Sequence, residues 1–378
     1  MSRLSSWFEE LFGFAEPKFH RHREIQNSFE IVESRDFGGE LVLRSKVNGR
    51  QFHIGNFATP RLDVLRTQGR DILSAIGDRD SESRVKIKHQ AITDVLRMHS
   101  TNPGALFQAA SQFNCLEMAQ PEAVPEHGVT IYGSDPTQGP ACAIACAAGT
   151  VYRNYFAPVA SRDGALQVGQ TRDLQINNLS DIEEAIGNEQ HKYWQIHNGY
   201  CFSERKKLRN LHELLTSGAV DLNALRDALR IGLHVDVGVT FADRSAPLFI
   251  EKGEDIRVSQ AYCSALSCAY SGINDSDIWE PFAKLVLEAS YEATLWATVR
   301  NSAHPRGSNK VFLTFVGGGV FGNKLEWISD AIGRAAAILD SEGADIDITV
   351  CHYRSIRTEV VERVDAAYQA EALRLRGK

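Results

Sequence analysis

The stretch VFLTFVGGGVFGN, Val311–Asn323, decides how the chain is read. Its first half has the branched and aromatic residues of a buried strand, and its second half is a run of glycines. Residues without a Cβ let main-chain N–H groups turn toward a ligand, and a helix start just beyond adds partial positive charge. Such a turn suits a phosphate or pyrophosphate; the plain alternative is a tight strand-to-helix turn that holds no ligand. Asn323 followed by Glu326 imitates a capping box for KLEWISDAIGRAAAIL, so the glycines lie between a strand and a helix.

Gly317, Gly319 and Gly322 satisfy G-x-G-x-x-G, the pattern of dinucleotide-binding folds. Position argues against that label. A Rossmann fingerprint opens a βαβ unit, with further strands after it and an acid ending the next strand to hold the ribose hydroxyls. Here the next strand, DIDITVC, runs into His352 and Tyr353, and a single helix remains after it. A P-loop fails as well, because Asn323 and Lys324 stand where Gly-Lys-Ser/Thr is required.

The whole chain has 378 residues, 43% hydrophobic and 24% charged, enough for one large core or two smaller ones. A net charge of -7 argues against a surface that neutralises many phosphates, so no nucleic-acid partner is expected. No window of about 18 uncharged apolar residues occurs, and Glu9 and Glu10 interrupt the apolar start. A soluble, cytoplasmic protein without membrane association is expected. The seven cysteines are odd in number and form no C-x-x-C pair, which fits reduced thiols.

Leu4, Trp7, Phe8, Leu11 and Phe12 fall on one helical face, so the start of the chain is expected to pack on the body. FEIVES, GELVLRSKV and RQFHIGNF read as short strands, with Asn48-Gly49 as a hairpin turn. Helical, charged sequence follows to about residue 100. From ALFQAASQFNCLEM onward strands and helices alternate: GPACAIACAAGTVYRNYF is a small-residue helix, and LHVDVGVTF, VSQAYCSALSCAY, VFLTFV and ADIDITVC are strands. The longest helix begins near Asp275 or Asp277, and residues 161 to 178 read as a surface loop. The expected organisation is an N-terminal helical and β extension over 1 to 100, followed by an α/β domain over 101 to 378.

A second loop resembles a partner for the glycines. An apolar strand delivers Asn114, and a polar loop with Asp135, Thr137, Gln138 and Gly139 enters the small-residue helix. With Gly317, Gly318, Gly319, Val320, Phe321, Gly322 and Asn323 in the late loop, these parts occur in the order found in macrodomains, which the chain resembles over residues 104 to 355. Within that superfamily the likeness is to the divergent MavL-like group. The resemblance implies a three-layer α/β/α mixed sheet, ADP-ribose bound between the two loops, and removal of ADP-ribose from arginine of modified proteins, ubiquitin included. The chain departs from the family at the first loop, where DPTQGP replaces the usual glycine run. Rival readings are a non-catalytic reader of ADP-ribose, a hydrolase of a free ADP-ribose derivative, and an adaptor that binds no ligand.

Hydrolysis at an anomeric carbon passes through a cation-like sugar, so carboxylates are needed to orient water, accept its proton and stabilise charge. Asp236, Asp243 and Asp255 are the candidate catalytic acids; as strand-end residues their alternative role is capping. Asn114 either bonds a ribose or caps its strand, and Phe321 either packs on the ligand or anchors its loop. Phe113 and Tyr132 share that ambiguity. Cys142 and Cys146 read as small buried hydrophobes and His234 and His352 as structural. No G-x-S-x-G elbow, H-E-x-x-H helix or zinc quartet occurs, so neither metal nor cofactor is expected.

Overall fold

A computed structural model of the chain describes residues 6–17, 22–35, 38–77, 84–161, 164–243, 255–273 and 275–377. The central sheet has seven strands: β1 (Asn56–Ala58), β2 (Lys86–Ile92), β3 (Leu106–Ala110), β4 (Gly232–Gly238), β5 (Arg257–Cys263), β6 (Lys310–Leu313) and β7 (Asp347–Tyr353). Their spatial order is β1-β4-β5-β3-β6-β7-β2. β5, β3, β6, β7 and β2 run parallel, while β4 is antiparallel to β5 and to β1. The parallel strands therefore end along one shared edge, the usual place for a ligand crevice in α/β sheets.

Alternation along the strands splits the core in two. Leu106, Val311, Leu313, Ile348 and Val350 pack under the helices Ser276–Ser302 and Leu325–Ser341. Phe107, Val237, Val258 and Phe312 point the other way and pack with Cys146, beside the helices Gln138–Ala145 and Ala147–Tyr155. The expected α/β/α layering is the one observed. All but the first residue of Gln138–Ala145 are buried, which its glycine, proline and alanines allow and a bulkier helix would prevent.

The N-terminal strands Phe29–Ser34, Glu40–Ser45 and Gln51–His53 form an antiparallel meander, turned at Asn48-Gly49 as expected. Trp7, Phe8, Leu11 and Phe12 join Phe29 in a core against Ala143, Ile144, Ala147 and Val151; Leu4 lies outside the described residues. Three expectations need correction. Residues 86–92 form an edge strand instead of helix, since exposed Lys86 and Lys88 alternate with half-buried Ile87 and His89. The helix after the glycines starts at Leu325 with Lys324 as its uncapped entry, because the Asn323 amide is spent on the loop. Residues 161 to 178 include a short strand, Leu166–Val168, and bury Gln170. The division expected at residue 100 runs through the sheet, as β1 and β2 supply both its edges.

Glu16 ties the N-terminal segment to the body. Its buried carboxylate accepts hydrogen bonds from the amides of Val129 (2.9 Å) and Thr130 (2.7 Å) and from the Tyr155 hydroxyl (2.6 Å). Glu16→Ala leaves those three donors without their acceptor, and chemical denaturation is expected to show a loss of about 3 kcal/mol.

Candidate functional site

At the shared edge a cleft of about 610 Å³ opens between the loop after β6 and the loop entering Gln138–Ala145. Gly317, Gly318, Gly319, Val320 and Phe321 line one side. Gly317 has a φ of 73° and its position leaves no room for a Cβ, which would run into Ala265 and the Asn323 amide. Asn323 closes the loop from behind: its Nδ2 donates to Leu266 O at 2.8 Å and its own amide to Gly317 O at 3.0 Å. The amides of Gly317, Gly319, Val320 and Phe321 donate to no protein group among the described residues. Such a run of amides is a concavity suited to an anion.

The opposite side is built on the end of β3. Gln138 straps the helix start to the strand, accepting from Ala110 N at 2.9 Å and donating to Gln108 O at 2.8 Å. Asp135 Oδ1 accepts from the amide and hydroxyl of Thr137 at 2.8 and 2.6 Å, and Oδ2 has no protein partner among the described residues. Beneath this turn lies Glu117, 2% exposed, lining the cleft with its backbone amide donating to the Tyr132 hydroxyl at 3.0 Å. A Cβ on Gly139 would overlap both the Ala110 carbonyl oxygen and Glu117 Oε2, so only glycine lets the helix approach this closely. Among the described residues Glu117 Oε1 has no hydrogen-bond partner. Burial pushes this carboxyl from its ordinary 4.5 up to about 8, opposed by the charge of Arg153 and a hydrogen bond from Ser111, and reinforced by Asp135.

The remaining walls are apolar and aromatic. Phe107 and Phe312 stack at 4.8 Å on the cleft floor, and His99 stacks on Phe107 at 3.8 Å. Phe321 leans on Tyr200 (5.3 Å) and Tyr270 (5.7 Å), both also lining the cleft, so it anchors its loop and presents a wall at once. At the far end His352 accepts from Arg357 N at 3.1 Å through Nδ1, which leaves its Nε2–H to donate to His89 Nδ1 at 2.8 Å. Burial, with His89 and Arg357 nearby, holds His352 below the usual histidine range. His234 is a core residue: its Nε2–H donates to Ile54 O and its Nδ1 faces Arg153.

Of the sequence-expected residues, Asp135, Thr137, Gln138, Gly139 and Gly317 to Phe321 meet in this cleft, while Gly322 and Asn323 stand behind it. Asn114 and the three candidate acids need correction. Asn114 is fully buried and does not line the cleft; its Nδ2 donates to Gln175 Oε1 at 2.8 Å and its Oδ1 accepts from Leu116 N at 3.0 Å. Asp236 and Asp255 lie at the opposite edge of the sheet, since β4 runs against β5. Both bind Arg257, at 2.9 and 2.6 Å, in an ion-pair network with Glu40 and Arg306. Though burial opposes it, Arg257 holds Asp255 below the usual carboxylate range. Asp243 follows β4 past Ala242, whose carbonyl accepts from Ser100 Oγ, and is likewise absent from the cleft. Phe113 is core, and Tyr132 supports Glu117. Cys142 and Cys146 are fully buried thiols whose pKa burial raises.

Glu117 is not among the sequence-expected residues. The available signal was a lone carboxylate in the apolar NCLEM, directly after a strand that ends at the cleft.

No protein-family model matches the chain, and no curated protein matches it in sequence. Among solved structures it is similar to poly(ADP-ribose) glycohydrolase from Thermomonospora curvata, at 12% identity and a TM-score of 0.41, over 93% of this chain and 96% of that one. It is also similar to the Deinococcus radiodurans poly(ADP-ribose) glycohydrolase in complex with ADP-ribose, at 10% identity and a TM-score of 0.37, over 84% and 93%.

The raised Glu117 pKa has a stability consequence. The unfolded carboxyl ionises near its ordinary 4.5 and the folded one near 8, so across that window unfolding releases a proton and rising pH weakens the wild type. Below the window there is no cost, and above it the cost is complete. Glu117→Gln removes the titration. Its stability relative to wild type, measured by urea denaturation, is expected to rise by on the order of 3 kcal/mol between about pH 5 and about pH 8.

Proposed function

We propose that the protein is an ADP-ribosyl hydrolase that holds ADP-ribose along this cleft and cleaves its bond to a modified side chain, arginine being the favoured one. The observation that carries the reading is the pairing, in one cleft, of a buried carboxyl with four loop amides that have no protein acceptor among the described residues. The amides of Gly317, Gly319, Val320 and Phe321 and the first turn of Gln138–Ala145 suit a diphosphate. The Phe107 and Phe312 floor suits a flat base, and the anomeric carbon then comes to the Glu117 and Asp135 end.

Near neutral pH Glu117 is protonated and can act as a general acid. Its proton passes to the leaving atom as the bond to the anomeric carbon breaks. Water then bonds that carbon and returns a proton to the Glu117 carboxylate, so one group serves both steps. A guanidine leaves as guanidinium, a cation that the open Asp135 Oδ2 and the Tyr200 and Tyr270 rings favour. A reader of ADP-ribose would have no use for a buried acid with an unpartnered oxygen, which costs stability.

Calorimetry with ADP-ribose tests the binding half, and silence up to millimolar ligand would remove the reading. Gly317→Val, which forces a side chain into the loop, is expected to weaken binding at least about tenfold. Incubation with arginine-ADP-ribosylated protein, ubiquitin among the substrates tried, tests the chemistry by release of ADP-ribose. Glu117→Gln should bind ADP-ribose within about threefold of wild type yet turn over about a hundredfold more slowly or worse; full turnover in that variant would exclude Glu117.

A further inference from the structure

Arg153 is fully buried, and among the described residues it pairs with no carboxylate. A guanidinium in that position calls for a reason, because an uncompensated charge is costly to take out of water. Its partners are neutral. Nε donates to the Cys115 carbonyl at 3.2 Å, Nη2 to Thr150 Oγ1 at 3.1 Å, and the group stacks 3.7 Å over the Tyr262 ring. The fourth contact, Nη1 to His234 Nδ1 at 3.3 Å, adds no charge, because His234 gives its only proton to Ile54 O.

The contact to Cys115 places this cation behind the catalytic turn. Cys115 stands two residues before Glu117 and holds a φ of 61°, a conformation a side-chain-bearing residue adopts only under constraint. The turn is pinned elsewhere by neutral bonds, Met118 N to Gln112 Oε1 at 2.9 Å and Gln170 Nε2 to Asn114 O at 3.0 Å. The other titratable groups about Glu117 are Asp135 from the helix-entry loop, Tyr132 and Tyr200 beside the turn, and Cys115, Cys142 and Tyr262 beneath it. None of these is a cation. Among the described residues, Arg153 is the one positive charge acting on that carboxyl from within the core.

We propose that Arg153 is a positioning residue for the reaction: it fixes the strained turn that aims Glu117 and supplies the buried positive charge against which Glu117 ionises. The role rests on the hydrolase reading only for its catalytic consequence; the coupling itself belongs to the folded protein. Without the cation, the ionised form of Glu117 loses stabilisation and its pKa rises further. A general acid must be protonated, so the alkaline limb of the rate profile moves up by the same amount.

The test is a titration of Glu117 by carboxyl carbon NMR on the full chain, its signal assigned by its loss in Glu117→Gln, in wild type, Arg153→Met and Arg153→Lys. Arg153→Met is expected to titrate at least about one pH unit above wild type, and Arg153→Lys, which keeps the charge, within about half a unit. A wild-type value in folded Arg153→Met overturns the proposal. Should Arg153→Met fail to fold, Arg153→Lys decides: a Glu117 pKa near wild type supports the charge role, and a displacement beyond about one unit overturns it. The same variants assayed for ADP-ribose release should shift their alkaline limb in parallel. If wild type releases nothing, the hydrolase reading falls, while the NMR titration still decides the coupling.

Discussion

The site depends on one close approach, that of the first turn of Gln138–Ala145 to the end of β3 over Glu117. Gly139 makes it possible, because any side chain there would displace both the strand carbonyl of Ala110 and the carboxylate itself. Gln138 holds the approach with bonds to both sides of Gln108–Ala110. From that contact follow the burial of Glu117, its retained proton near neutral pH and the narrow wall that faces the glycine loop. A helix lifted by even one methyl group would let water reach the carboxylate and return it toward ordinary acidity.

Charge is distributed between the two ends of the sheet in opposite ways. At the edge away from the cleft, Arg257 and Arg306 are matched by Glu40, Asp236 and Asp255, a network half open to water that joins the N-terminal meander to β5. Partly exposed pairs of this kind contribute modestly to stability and leave little net field. At the cleft, the polar groups that matter are a few amides, one buried acid and Asp135, set among aromatic rings. In such surroundings each interaction acts with less screening, which suits recognition and proton transfer better than a cluster of surface charges does.

Much of this was legible in the sequence. The long helix and the strand before the glycines were set by periodicity and residue size, as was the small-residue helical stretch apart from its break at Cys146, and the late position of Gly317–Asn323 placed that loop at a sheet end. Lys86–Ile92 was hidden because an edge strand with one wet face has the lysine-rich composition of a surface helix. The acids failed for a different reason. Asp236 looked telling as a carboxylate inside an apolar run, but a sequence does not show strand direction, and β4 is antiparallel where β3, β6 and β7 are parallel. A residue late in β4 therefore emerges at the wrong edge. Asn114 misled through its type: an amide after a strand suits a ribose equally well as it suits the buried turn it braces.

In the proposed reaction, binding and chemistry support one another electrostatically. A diphosphate at the glycine loop brings negative charge toward a carboxyl that burial already keeps protonated, and this disfavours its ionisation further. The acid thus stays loaded while the substrate is whole. As the bond to the anomeric carbon lengthens, positive charge develops on the sugar beside Glu117 and reverses that balance, stabilising the carboxylate when its proton is needed by the leaving atom. The loop that binds the diphosphate thereby helps time the proton transfer, although none of its glycines carries a group that can make it.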